Sequence, residues 1–160
     1  MFTLHELLDR IRQEWRQSLP NGWELGWPLD RFKAELSQCA APYAVLNLTS
    51  FDYCRCNTFV VDFGYIDGLY STLTIHVSFI ADLYVMYWSR TRGAGDLRET
   101  TDTPSQGEAI MYSARRLLSR LGMQEIPDEW YDCHAPGVSL ELCDSGDVTI
   151  GKCLFCDTEV

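Results

Sequence analysis

The sequence lacks the signatures of the common nucleotide-binding and metal-hydrolase sites. It contains no G-x-x-x-x-G-K-S/T, no G-x-G-x-x-G and no H-E-x-x-H motif, the patterns that hold phosphates, dinucleotides and catalytic zinc. Gly93-Ala94-Gly95 has neither a helix opening behind it nor a phosphate-binding lysine. Histidine is scarce, with 3 residues in 160, and no oxyanion motif accompanies any of them. We therefore predict a protein that is not an enzyme, with no catalytic residues and no cofactor.

A long uncharged apolar run is also missing. The N-terminal stretch MFTLHELLDRIRQEW carries charges every few residues, which is unlike a signal peptide. The most apolar window, residues 69–88, is interrupted by His76 and Asp82 and alternates in places, so it indicates sheet and not a membrane helix. These features predict a cytoplasmic protein that makes no membrane contact.

Basic residues are nearly absent from the last forty positions. Residues 121–160 hold nine acidic residues and one basic residue, Lys152, so this stretch carries most of the net charge of −10. An acidic protein repels nucleic-acid phosphates, and direct DNA or RNA binding is therefore not expected. A basic protein partner would be attracted instead.

The composition is that of an ordinary folded protein. The apolar fraction is 46% and the charged fraction 22%, without the low hydrophobicity and high charge typical of disorder. The length of 160 residues predicts a single domain, residues 1–160.

Helical periodicity predicts three helices. The first helix is predicted over residues 3–18, and it begins with a capping box formed by Thr3 and Glu6. A second, shorter helix is expected to start at Pro28, where proline is tolerated, and a third to run from about residue 104 to residue 121.

Alternation and turn signals predict a set of strands. Residues 43–49, 58–66, 70–79 and 83–88 are strand-like, and Asp67-Gly68 is a strong hairpin signal. Residues 90–106 are predicted to form a loop. Residues 138–142 and 148–155 are predicted to form a C-terminal β-hairpin. The expected fold is α+β, with a mostly antiparallel sheet and helices packed on one face.

Seven cysteines, an odd number, suggest mostly reduced, partly buried thiols. The close spacing within two pairs leaves one metal alternative, a zinc site built from four cysteines. That set is Cys54, Cys56, Cys153 and Cys156. His76 lies in an apolar strand, where a neutral buried imidazole is expected. No Cys–His catalytic pair is predicted.

The acidic residues are segregated into the C-terminal region and interleaved with two large aromatic residues. Aromatic residues commonly anchor interfaces, and an acidic rim favours fast capture of a basic protein. The alternative is a solvated face that only keeps the protein soluble. The predicted partner-binding residues are Asp128, Glu129, Trp130, Tyr131, Asp132, Glu141, Asp144, Asp147 and Asp157.

The segments LLSRLGMQEIPDEW, PGVSLEL and GDVTIGKCLFCD resemble the closing segments of small bacterial immunity proteins, the antidotes encoded with polymorphic or contact-delivered toxins. The resemblance implies a cytoplasmic α+β protein that occupies the active site or substrate-binding face of a cognate toxin. A nuclease or nucleic-acid deaminase toxin would present the basic cleft that an acidic surface fits. Two alternatives stay open: a small zinc- or cysteine-dependent enzyme, and an adaptor or chaperone for a secreted effector.

Overall fold

The fold is taken from a computed structural model, which describes residues 3–16, 20–92, 105–144 and 146–156. The first helix, α1 (Leu4–Trp15), begins with the predicted capping box. The Thr3 hydroxyl accepts from the Glu6 amide at 3.3 Å, and the Glu6 carboxylate accepts from the Thr3 amide at 2.7 Å. Each side chain thus satisfies a backbone donor that has no partner inside the helix.

The second helix, α2 (Lys33–Ala40), begins later than predicted. Phe32, its N-terminal neighbour, has a φ of 69°, a left-handed conformation that cannot belong to a right-handed helix. The prediction that α2 starts at Pro28 is therefore wrong, and residues 28–32 form turns.

Four strands form an antiparallel meander: β1 (Ala44–Asn47), β2 (Cys56–Ile66), β3 (Leu69–Ser78) and β4 (Leu83–Thr91). Asp67 and Gly68, with φ values of 51° and 77°, form the tight turn between β2 and β3, which needs positive φ at both positions. After helix α3 (Ser105–Arg120), the two-residue β5 (Gln124–Glu125) pairs parallel to β4. The sheet order is β1-β2-β3-β4-β5. The prediction of an α+β fold with a mostly antiparallel sheet is confirmed.

One face of the sheet carries an apolar core beneath α2 and α3. Phe59, Ile75 and Met86 lie side by side across β2, β3 and β4, and the buried Leu36 and Leu118 of the two helices join the same cluster. Because side chains alternate along a strand, His76 points to the opposite face.

Helices are not confined to that one face. The helix α5 (Ile150–Leu154) is followed by Phe155, whose ring lies 6.1 Å from the ring of His76. The C-terminal segment therefore covers one end of the second face. The buried Leu7 and Ile11 of α1 belong to the same apolar cluster as Phe155. The prediction that all helices pack on one face does not describe this part of the molecule.

The predicted C-terminal hairpin does not form. Residues 138–142 are irregular, and residues 150–154 are helical. The Thr149 side chain caps this helix by accepting from the Lys152 amide at 3.3 Å. Ile150, Cys153 and Leu154 are all buried, and their spacing of three and four residues is helical. The alternation in the sequence was therefore a misleading signal.

The predicted loop at residues 90–106 falls mostly outside the described residues. The prediction is wrong for Arg90, the first residue of this range, because Arg90 lies within β4. Its buried guanidinium donates to the Ser71 hydroxyl at 3.3 Å and to the Ile66 carbonyl at 2.9 Å. In the described ranges, no helix is both long enough and apolar enough to span a membrane.

Candidate functional site

The predicted acidic residues fall into two exposed groups. Asp128 and Glu129 begin the short helix α4 (Asp128–Tyr131), and Asp132 follows it. Glu141, Asp144 and Asp147 are exposed around the next turn, in which the Asp147 amide donates to the Asp144 carbonyl at 2.9 Å. Asp157 lies outside the described residues.

Backbone hydrogen bonds connect the segments that carry the two groups. The Ala135 amide donates to the Val148 carbonyl, and the Ile150 amide donates to the Cys133 carbonyl, both at 2.9 Å. Val148 and Ile150 are fully buried. The acidic side chains therefore project from segments whose backbone is fixed to the core and to each other.

Trp130 faces a groove of about 760 Å³ between the C-terminal end of α3, β5 and α4. Three arginines line the same groove: Arg115, Arg116 and Arg120. Arg115 is paired with Glu125 at 2.7 Å. The surroundings of Trp130 are thus mixed in charge, unlike the purely acidic rim that the sequence suggested.

Tyr131 contributes to the interior. Its ring is half-buried and stacks on Phe155, with centroids 6.0 Å apart and planes 14° apart. It also lies directly against the backbone of Gly151. Partner contact by Tyr131 stays a prediction, and only its exposed part is accessible to a partner.

A cysteine–histidine cluster lies where the C-terminus meets the start of β2. Cys54 and Cys156 face each other across an isolated antiparallel bridge and form a disulfide. Cys56 Sγ lies 3.9 Å from Cys156 Sγ and 3.2 Å from His76 Nδ1. Three ligand atoms, from Cys56, His76 and Cys156, all lie within 4.8 Å of one another.

Hydrogen bonds fix the imidazole of His76 within this cluster. Nδ1 is 3.0 Å from the Thr58 hydroxyl, and Nε2 is 2.9 Å from the Tyr87 hydroxyl. The rings of His76 and Tyr87 stack with centroids 5.4 Å apart. Both ring nitrogens are therefore engaged, one on the cysteine side and one on the tyrosine side.

Burial keeps Cys56 and His76 uncharged at neutral pH. It raises the pKa of the Cys56 thiol to about 12 and lowers the pKa of His76 to about 4. Burial opposes the charged form of each group because the interior solvates ions poorly. The pair is thus a neutral thiol beside a neutral imidazole, and not the thiolate–imidazolium pair of a cysteine hydrolase.

Part of this cluster was predicted from the sequence. Two of the four predicted zinc ligands, Cys56 and Cys156, lie in it, and Cys54 is bonded to Cys156. Cys153 is not among the described side chains whose ligand atoms meet. His76, interpreted as an isolated neutral imidazole, was missed as a cluster member. The sequence held no signal for it, because the β2–β3 register that pairs His76 with Thr58 depends on an irregularity between Asp62 and Gly64. Most cysteines were expected to be reduced, and of the seven, Cys54 and Cys156 are bonded.

No protein-family model matches the chain, and neither the curated proteins nor the solved structures compared with it include a match.

Proposed function

We propose that this protein is a non-enzymatic binding protein of the immunity type, which captures a basic protein toxin through its C-terminal acidic surface. That surface is defined here as the exposed side chains of Asp128, Glu129, Asp132, Asp144 and Asp147. In the described part of the chain, the ion pairs within 4.0 Å involve other carboxylates. Among the described residues these five carboxylates form no such pair, and Asp128 lies close enough to Arg115 for their charges to attract each other. The excess of negative charge is the observation that supports the proposal.

The basic residue closest in sequence does not neutralise the surface. Lys152 is half-buried, and its Nζ lies 3.5 Å from Cys143 Sγ. Lys152 therefore leaves an excess of negative charge on the acidic surface, and such an excess speeds diffusional encounter with a positive patch and raises the cost of wrong partners.

The mechanism would be occlusion. Carboxylates presented to a nuclease or a nucleic-acid deaminase resemble the phosphates of its substrate, and they compete for the same basic cleft. Trp130 would supply a large apolar contact beside them, at the edge of the groove described above. Because the acidic side chains sit on a backbone already fixed to the core, little conformational entropy is lost on binding.

The burial of Cys56 argues against catalysis by this cysteine. Its side chain is 0% exposed, so a substrate carbonyl has no path to the sulfur. The zinc- or cysteine-dependent enzyme and the effector chaperone remain alternative hypotheses, to be separated by the partner's identity.

The test starts with the protein encoded by the neighbouring reading frame, or with a partner co-purified from the native host. Association rates would be measured at two salt concentrations for a variant that reverses four charges: Asp128→Lys, Glu129→Lys, Asp144→Lys and Asp147→Lys. We expect association to slow by about tenfold or more, with a salt dependence that is no steeper than that of the natural sequence.

A matched control reverses charges elsewhere on the surface. Glu24 and Asp52 are exposed, and Glu24→Lys with Asp52→Lys changes the net charge as much as either half of the fourfold variant. If the location of the acidic residues matters and not the total charge, the control should bind the partner with an affinity within about twofold of that of the natural sequence. Unchanged affinity and unchanged salt response in the fourfold variant would contradict the proposal. So would a partner whose contact surface is acidic.

A further inference from the structure

We infer that the reduced chain binds one zinc ion through the thiolates of Cys54, Cys56 and Cys156 and the Nδ1 atom of His76. The inference does not depend on the proposed function. It differs from the zinc alternative of the sequence analysis in one ligand, because His76 replaces Cys153.

Two distances between the ligand atoms are close to those expected around a tetrahedral ion. With Zn–S near 2.3 Å and Zn–N near 2.0–2.1 Å, a regular tetrahedron separates two sulfurs by about 3.8 Å and a sulfur from a nitrogen by about 3.6 Å. Cys56 Sγ and Cys156 Sγ are 3.9 Å apart, and Cys56 Sγ and His76 Nδ1 are 3.2 Å apart. Both of these pairs are within about 0.4 Å of the ideal value.

The fourth ligand comes from the disulfide. Cys54 is bonded to Cys156 and is not one of the three residues whose ligand atoms lie within 4.8 Å of one another, so after reduction its sulfur has to leave Cys156 and turn toward Cys56 and His76. A dithiol reductant supplies two electrons and two protons, leaves two thiols on this chain and is itself oxidised to a disulfide. Zinc then displaces one proton from each of three thiols, which gives a site of net charge −1.

Neighbouring groups suit such a site. Tyr87 holds His76 Nε2 at 2.9 Å, and a ligating histidine commonly donates its other N–H to an oxygen that fixes the ring orientation. The Thr58 hydroxyl lies 3.7 Å from Cys56 Sγ, where it can donate to a thiolate. The buried Arg55 adds positive charge next to Cys56 in sequence.

The donor set and its burial indicate a structural ion. Three sulfurs and one imidazole nitrogen complete a tetrahedron and leave no open position for a reacting water. Cys56 and His76 are 0% and 4% exposed, so solvent does not reach them. The ion would join residues that are about 100 positions apart in the sequence, Cys56 and Cys156.

The experiment uses the full chain, reduced by a water-soluble phosphine under anaerobic conditions, and zinc alone as the probe. Competition with a chromophoric chelator should give about one zinc per chain. The oxidised chain should bind zinc at least about 100-fold more weakly, because two of the four donors are then in the disulfide. Equal affinity of the two forms, or no zinc on the reduced chain, would overturn the inference.

Variants separate the two possible ligand sets. Cys56→Ser and His76→Gln should each weaken zinc binding by more than about 100-fold, and Tyr87→Phe by about 10–100-fold. Cys153→Ala and the control Cys39→Ser, on α2, should bind as the natural sequence does. Loss of binding in Cys153→Ala with retention in His76→Gln would refute the assignment.

Cobalt gives a readout that does not depend on variants that fold poorly. The reduced natural chain with Co²⁺ should show intense tetrahedral d–d bands and the charge-transfer intensity of three thiolates. A pale, octahedral spectrum, or charge transfer from four thiolates, would exclude the proposed ligand set.

Discussion

Replacing Gly151 by alanine tests how tightly the C-terminal segment is packed. Gly151 lies in α5, and a Cβ built on it would lie 2.6 Å from two ring atoms of Tyr131. Ordinary carbon contacts are close to 3.5–4.0 Å, so the ring would have to move by about 1 Å. It cannot move freely because it stacks on Phe155, which is 1% exposed.

The expected change in the free energy of unfolding results from two opposing effects. Overpacking a well-filled core typically costs about 1–3 kcal/mol. Exchanging glycine for alanine inside a helix returns up to about 1 kcal/mol, and less in a helix as short as α5. We therefore expect Gly151→Ala to lower the free energy of unfolding by about 1–2 kcal/mol.

The loss of stability in Gly151→Ala would be measured by urea unfolding, followed by tryptophan fluorescence, with the disulfide intact and a chelator present. Gly146→Ala is the control, because a Cβ there meets nothing within 4 Å and should change stability by less than about 0.5 kcal/mol. In a Tyr131→Ala background, Gly151→Ala should cost nothing or stabilise slightly, since the opposing ring is gone. Equal destabilisation in both backgrounds would refute the argument.

Two further predictions concern the sheet. The Trp27 indole donates to the Asn57 side-chain oxygen at 2.7 Å, and Asn57 is 0% exposed, so Trp27→Phe should cost about 1–3 kcal/mol in urea unfolding. Trp23→Phe, at a residue 56% exposed, should cost less; equal losses would contradict this. Burial raises the pKa of Tyr84 to about 12, so the unfolded chain ionises at Tyr84 first, and this residue should contribute about 2 kcal/mol to a loss of stability between pH 10 and 12. Tyr84→Phe should reduce the loss by about that amount, and an unchanged pH profile would show that other groups cause it.

Local signals explain what could be predicted of the fold. The capping box of α1 uses Thr3 and Glu6, three residues apart, and the turn between β2 and β3 uses the adjacent Asp67 and Gly68. Such features are satisfied within a few residues of the chain, so they can be recognised in the sequence.

The helical state of α5 depends on contacts that the local pattern does not contain. At residues 148–155, strand alternation and helical spacing were both compatible with the apolar residues. In the helix that forms, Gly151 packs against Tyr131. This contact joins residues that are twenty positions apart in the sequence. This is a case in which tertiary context decides between two local states.

The cluster around His76 was unpredictable for a related reason. Counted from the Asp67-Gly68 turn, a regular hairpin would pair His76 with Phe59, on the face beneath α2 and α3. The register shifts by one residue between Asp62 and Gly64, and this irregularity pairs His76 with Thr58 instead. A one-residue shift exchanges the two faces of a strand. The histidine therefore meets the cysteines only because of a bulge that the sequence did not reveal.

The cysteine–histidine cluster lies at the junction between the sheet and the segment that carries the acidic surface. The Arg55 amide donates to the Phe155 carbonyl, and the Phe79 amide donates to the Arg55 carbonyl, so the end of α5 is attached to β3 through the residues before β2. The disulfide closes a loop of sequence separation 102, a constraint worth about 4–5 kcal/mol in chain-entropy terms.

Either the disulfide or a zinc ion would hold the same junction, whereas the reduced, metal-free chain would keep only its hydrogen bonds and apolar contacts there. A fixed scaffold lowers the entropy lost when a surface binds its partner. If the acidic surface captures a basic partner, reduction without zinc should therefore weaken that binding while leaving the surface charge unchanged, and added zinc should restore it.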